Sequence, residues 1–126
     1  MIVTIPISIG ELYDKISILE IKSDMLFNDR EKANNVDYEL RELCKIAENY
    51  PIDPGIYIRL SSMNKRIWDI EDGIRECEKD KHFKERFIDL ARAVYLNNDE
   101  RAEIKRQINI EYKSEIIEEK SYANYK

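Results

Sequence analysis

Ile56, Leu60, Met63, Ile67, Ile70, Ile74 and Cys77 follow one another in alternating steps of four and three residues. That spacing puts all seven on one stripe of an α-helix, whereas a strand turns its side chains over at every second residue. The stripe needs an apolar partner, so the chain must fold as packed helices around this element. From Gly55 to Lys79 it would run roughly 37 Å at the α-helical rise. Asp53 as cap and Pro54 in the first helical position mark its start.

Three further segments carry helical spacing. Ile9, Leu12, Ile16, Leu19 and Leu26, widened by Ile18, Ile21 and Met25, form a first amphipathic helix. Ser8 and Glu11 read as a capping box at its start, with Ile7 and Leu12 as the hydrophobic staple. Asn28 to Asn35 reads as a polar connection. Val36, Leu40, Leu43, Ala47 and Tyr50 then form a second helix that Pro51 ends, and the short turn after it makes helices two and three antiparallel neighbours. Phe83, Phe87, Leu90 and Val94 start a fourth, and Ile104, Ile108 and Tyr112 mark a fifth. Asn97, Asn98 and Asp99 between them prefer caps to helix interiors, although the two pieces read equally well as one bent helix. The expected fold is mainly α: an antiparallel bundle of four to five helices. Val3, Ile5 and Ile7 at one end and Glu115 to Ile117 at the other are β-prone, so a short strand pair between arm and tail can accompany the bundle.

Length and composition narrow the class. At 126 residues the chain suits one domain with its own core. The 26 acids and 21 bases are mixed along the chain, giving a net charge of −5, so no basic stripe exists for nucleic acid. No apolar run reaches the roughly 20 residues of a membrane span, and Met1 to Ile9 lacks a signal-peptide pattern, so the expected location is the cytoplasm. Cys44 and Cys77 both fall on apolar helix faces and read as buried free thiols, too far apart for a disulfide.

Several polar residues are left over once the core is assigned. Trp68 sits about 100° from the heptad stripe, with Asp72 and Arg75 four and seven residues on, a candidate ligand face. The plain alternative is packing for the indole and surface ion pairs for the charges. Gly73, costly inside a helix, suggests that something approaches the backbone there. Arg92 and Tyr95 lie one turn apart, and Asn98, Asp99, Arg101 and Lys105 crowd the expected break, where exposed N–H groups would suit a phosphate or carboxylate. Ordinary capping is the alternative reading. Lys15 and Lys22 flank the seam of the first helix and add positive charge.

Catalytic sets are missing. A nucleophilic Cys–His pair would need buried thiols and the single His82, which reads as a solvated connector residue, and one histidine cannot build a di-iron site. Neither a cofactor nor a resident metal is expected. Glu11 with Asp14, Asp69 with Asp72, or Glu71 could hold a magnesium-bound phosphate as all-α nucleoside-triphosphate pyrophosphohydrolases do, yet their paired acidic spacing is not reproduced cleanly.

The blocks GELYDKISILEIK from Gly10, IWDIEDGIRECE from Ile67, LARAVYLNNDERAEIKRQIN from Leu90 and EEKSY from Glu118 together resemble an uncharacterised family, a domain of unknown function of about this length in bacteria and tailed phages. The resemblance spans nearly the whole chain. It implies a family pattern containing Lys15, Glu20, Lys22, Trp68, Asp69, Glu71, Asp72, Arg75, Arg92, Tyr95, Asn98, Asp99, Arg101, Lys105, Asn109 and Glu118 to Tyr122. It also implies neighbours such as glycosyltransferases and tetratricopeptide-repeat proteins, and for phage members a life in the host cytoplasm handling a host metabolite or signal. No catalytic assignment comes with it.

The resulting expectation is a non-catalytic binding protein for a small anionic ligand: a nucleotide, a signalling nucleotide sequestered in phage fashion, or a nucleotide sugar. The candidate residues are Lys15, Trp68, Asp72, Arg75, Arg92, Tyr95, Asn98, Asp99, Arg101, Lys105, Lys120 and Tyr122. Arginine forks suit phosphates, and aromatic faces suit rings. Two other classes stand beside it: a homo-oligomeric interaction module, and a magnesium-dependent phosphohydrolase.

Overall fold

The computed structural model describes all residues from Met1 to Lys126 and contains four helices and no strand. They are α1 (Ile9–Met25), α2 (Arg30–Ala47), α3 (Pro54–Lys79) and α4 (Glu85–Glu111). The chain is mainly α, as the heptad requires. None of the helices is long and apolar enough to cross a membrane.

The heptad of α3 packs against α4. Ile56, Leu60, Met63 and Ile67 bury themselves with Ile104 and Ile108, and Ile9, Tyr13, Ile52 and Tyr112 close the edges of this cluster. Leu60 and Ile108 are fully buried, so truncating either to Ala would cost about 2–5 kcal/mol. Farther along the hairpin Gly73 is buried because Leu90 of α4 lies against it: a Cβ there would sit 3.1 Å from Leu90 Cδ1. The close approach inferred from Gly73 is therefore the chain's own α4.

The fourth and fifth helices are one. Asn97, Asn98 and Asp99 do not break α4, because each finds another partner. Asn97 Nδ2 donates to the Ala93 carbonyl at 2.7 Å. Asn98 Oδ1 accepts from Arg101, and Asp99 accepts from the Tyr125 phenol. There is accordingly no helix N-terminus at this point, and the anion site expected from exposed N–H groups there does not exist.

The α2 helix starts earlier than its apolar pattern suggests. Asp29 caps it by accepting from Lys32 N at 3.1 Å, so most of the expected connection is helical. The backbone of α2 lies close to that of α1 and not to that of α3, which departs from the antiparallel neighbours expected. The reason is α1, which takes the space beside α3 and also reaches α4. Cys44, on α2, is in consequence exposed, while Cys77 is buried as expected.

Both long helices stop at lysines. Lys81 and Lys113 have φ of 52° and 58°, the left-handed position where glycine is usual. His82 N donates to the Cys77 carbonyl at 2.8 Å, and Ser114 N donates to the Asn109 carbonyl at 2.8 Å. These are the long hydrogen bonds of Schellman turns. The turn at Lys113 folds the C-terminal tail back over the start of α1.

Candidate functional site

Helix α1 buries two stripes. Leu12, Ile16 and Leu19 form the apolar one; Gly10, Asp14, Ser17 and Ile21, spaced four, three and four, form the other. The second stripe meets α3 and α4 through polar groups, which cost stability unless partnered. Every one of them is partnered: no buried side-chain nitrogen or oxygen lacks a hydrogen bond.

At the start of α1 the first three N–H groups are answered in turn. Ile9 N donates to Ser114 Oγ at 3.1 Å, Gly10 N to Asn109 Oδ1 at 2.6 Å, and Glu11 N to Ser8 Oγ at 3.0 Å. The Ser8 hydroxyl in turn donates to the Glu118 carboxylate. Only half of the expected capping box forms, since Glu11 turns its carboxylate to Lys105 instead. Gly10 has to be glycine: a Cβ would lie 2.6 Å from the Lys105 carbonyl oxygen. This helix end is filled by its own chain and offers nothing to an outside anion.

One turn deeper, Lys105 Nζ lies 2.5 Å from Glu11 Oε2 and 3.3 Å from Asp14 Oδ2. Lys15 approaches Glu11 from outside at 3.6 Å. Burial pulls the Lys105 ammonium down, but the Glu11 hydrogen bond and the charges of Asp14, Glu11 and Glu118 outweigh it and hold the pKa above the usual lysine value. Asp14 Oδ1 also accepts from Asn64 Nδ2 at 2.7 Å, which donates as well to Ser17 Oγ at 2.6 Å.

The network ends on Arg101. Its guanidinium donates to Asn64 Oδ1 at 3.0 Å and to Asn98 Oδ1 at 2.9 Å. The side chain is half-buried, and no carboxylate pairs with it. Beside it the tail runs back along α4. Arg106 pairs with Glu119 at 2.6 Å, and the Tyr125 ring stands edge-on to Tyr95 with centroids 5.3 Å apart. Tyr122 lies 6.2 Å from Tyr125. Between α4 and the tail opens a polar cleft of about 510 Å³ lined by Lys105, Arg106, Asn109, Lys120 and Tyr122 together with Glu103, Glu118 and Glu119; Arg101 lies outside this lining.

The candidates from the sequence thus divide. Lys15, Asn98, Arg101 and Lys105 join the polar network, and Tyr95, Asp99, Lys120 and Tyr122 lie along the tail and its cleft. Trp68, Asp72, Arg75 and Arg92 are not drawn in. Trp68 is half-buried one turn beyond Asn64, while Asp72, Arg75 and Arg92 are exposed and pair with no other side chain, each other included. Ser17, Asn64, Ser114 and Tyr125 belong to the site without having been singled out for it, and Asp14, read from the sequence as a possible magnesium ligand, joins it as a partner of Lys105 and Asn64. The four-three-four spacing of Gly10, Asp14, Ser17 and Ile21 was the available signal. No three His, Cys, Asp or Glu side chains converge as metal ligands.

The fold and the network define a class: a small helical protein whose polar groups are concentrated between its first and last helices under a folded-back tail. Within that class, the chain belongs to a family of unknown function (DUF6165), whose pattern matches residues 3–125. No curated protein and no solved structure matches the chain.

Proposed function

We propose that the chain is a binding protein for a small anionic ligand, anchored at Arg101 and covered by the C-terminal tail. The observation that carries this reading is the Arg101 guanidinium: half-buried, aimed by two amide oxygens, and matched by no carboxylate. Removing a cation from water without an anion is unfavourable. Asn64 and Asn98 hold the fork in place without cancelling its charge, which is how a protein prepares an arginine for a phosphate or carboxylate.

Lys105 supports the reading by contrast. It is answered by two carboxylates of its own chain and serves the joint between α1 and α4. Because Glu11 and Asp14 are committed to it, the arrangement favours holding a ligand over turning one over. The polar cleft begins at Lys105, one turn along α4 from Arg101; in this reading the anionic group meets Arg101 and the rest of a ligand of nucleotide or nucleotide-sugar size extends toward Lys120 and Tyr122 of the cleft lining.

Calorimetric titration against nucleoside mono-, di- and triphosphates, cyclic dinucleotides and nucleotide sugars tests the proposal. One class should bind, Arg101→Gln should weaken it about tenfold or more, corresponding to the roughly 1.4 kcal/mol of a charged hydrogen bond, and ligand at 100 times Kd should stabilise the fold by about 2.7 kcal/mol. No heat and no thermal shift across the panel refutes it. Release of pyrophosphate that stops with a chelator would replace it with a metal-dependent hydrolase.

A further inference from the structure

Beyond Ser114 the chain is fixed to the helices at two places. The first is Glu118 with Glu119: Glu118 accepts from the buried Ser8 hydroxyl, and Glu119 Oε1 lies 2.6 Å from Arg106 Nη1. The second is Tyr125, whose phenol donates to Asp99 and whose ring stands edge-on to Tyr95. Lys120 to Asn124, between them, give no hydrogen bond to α4. Asp99 and Arg106 are seven residues apart on α4, about 10 Å at the helical rise, whereas the six residues from Glu119 to Tyr125 can reach about 20 Å. The tail therefore has slack between its fixings. That surplus length leaves room for the polar cleft, which has Lys120, Ser121 and Tyr122 on its tail side and Lys105 and Arg106 on its helix side.

The two helix cations of the cleft are held differently. Lys105 is 17% exposed and is answered by Glu11 and Asp14 of α1. Arg106 is 40% exposed, and its ion-pair partner is the tail's Glu119, itself 71% exposed. An ion pair that wet shifts an equilibrium by a factor of about two to five. An anion of higher charge therefore replaces Glu119 far more readily than it replaces the carboxylates on Lys105, and a guanidinium fork matches a phosphate in a way a single carboxylate does not exhaust. Resting on the binding function proposed above, we infer that Arg106 is a second anion contact and that the tail is a strap whose Glu119 competes for it. A phosphate group entering the cleft takes Arg106 and frees Glu119 to water, while Glu118 on Ser8 keeps the root of the strap attached. The slack between the fixings lets the strap move aside without unfolding any helix.

Calorimetry of the full chain with inorganic pyrophosphate at constant ionic strength tests the exchange. Removing the competitor by Glu119→Gln should tighten pyrophosphate about two- to fivefold, and Arg106→Gln should weaken it about tenfold. Glu115→Gln, which takes the same charge from the tail at an exposed position, should leave it unchanged. Strap release is read without any ligand by trypsin cleavage after Lys120, followed as loss of residues 121–126 by mass spectrometry. Arg106→Gln leaves the tail sequence intact and should speed that cleavage about two- to fivefold, because cleavage follows the open population. None of these positions is in the core, so helical circular dichroism should be unchanged. An affinity that Glu119→Gln leaves the same or weaker, no pyrophosphate binding by that variant, or equal cleavage of Arg106→Gln and wild type overturns the inference. Ligand binding that falls with Arg101→Gln yet ignores the changes at Arg106 and Glu119 overturns the strap and leaves the Arg101 reading standing. Pyrophosphate binding that responds to Arg106 and Glu119 but not to Arg101 supports the strap and removes Arg101 from the site.

Discussion

Replacing Lys105 by Met removes a cation and keeps most of the stem volume, which leaves Glu11 and Asp14 facing each other across the joint of α1 and α4. The side chains of Lys105, Glu11 and Asp14 are 17%, 24% and 7% exposed. Breaking a buried pair by removing one partner costs about 3–5 kcal/mol. Glu11 can turn toward water and retains Lys15 at 3.6 Å, so the lower end applies, about 3 kcal/mol. For a chain of this size that lowers Tm by roughly 10–15 °C. Urea unfolding followed at 222 nm measures it, and double-mutant cycles with Glu11→Gln and Asp14→Asn should return couplings of about 1–3 kcal/mol. The pH dependence has a fixed sign. Since the folded pKa of Lys105 is raised, its contribution is complete below the unfolded value near 10.5 and is lost as pH rises through the folded one. A loss below about 1 kcal/mol together with abolished ligand binding would refute this assignment and make Lys105 a ligand contact.

Gly10→Ala should destabilise by about 2–3 kcal/mol in the same urea assay, because its Cβ meets the Lys105 backbone oxygen at 2.6 Å and neither helix can shift alone. Gly73→Ala should change stability by less than about 1 kcal/mol, since the gain in helix propensity offsets contact at 3.1 Å with Leu90 Cδ1, a side-chain end that can move. Maleimide should label one thiol in the native chain and two in denaturant, identifying Cys44 as exposed and Cys77 as buried; two native labels would contradict the packing of α3 on α4. Burial and the hydrogen bond to Glu20 hold the Tyr57 phenol well above the usual tyrosine value, and burial raises Tyr13 beside it. Their stabilisation is therefore full below about pH 10 and declines as pH climbs further; Tyr57→Phe should flatten the fall of the urea midpoint between pH 9 and 11.

The apolar spacing of α3 made the fold legible, because its seven positions admit one stripe and one kind of partner. Polar contacts were less so. Asn97, Asn98 and Asp99 have the propensity of a break, and only their partners, Arg66 on α3, Arg101 one turn on and Tyr125 in the tail, show why the helix continues. The stops at Lys81 and Lys113 were hidden because a lysine occupies the position where glycine would announce it. The joint of α1 with α4 was hidden because it is polar: a search for hydrophobic periodicity passes over Gly10, Asp14 and Ser17 although their spacing is helical. Trp68 drew attention by size, yet side-chain size says nothing about whether a neighbouring helix claims its face.

Arg101 and Lys105 stand one turn apart on α4, and their different partners connect the joint to the proposed site. Lys105 is neutralised where α1 crosses; Arg101 is only steered. Asn64 belongs to both arrangements, donating to Asp14 and Ser17 on α1 and accepting from Arg101 on α4. An anion that draws the Arg101 fork outward would weaken its hold on Asn64 Oδ1, leaving a buried acceptor short of a donor unless the ligand or the tail supplies one. Removing a donor from a buried acceptor costs about 1–3 kcal/mol, so a ligand that binds without moving the fork is favoured over one that pulls it. Under the proposed function, the network would therefore select for ligands whose anionic group meets Arg101 as Asn64 and Asn98 already hold it. On that proposal the site would be rigid and pre-aimed, with adjustment left to the tail, which is held to α4 by side-chain contacts and has no secondary structure of its own.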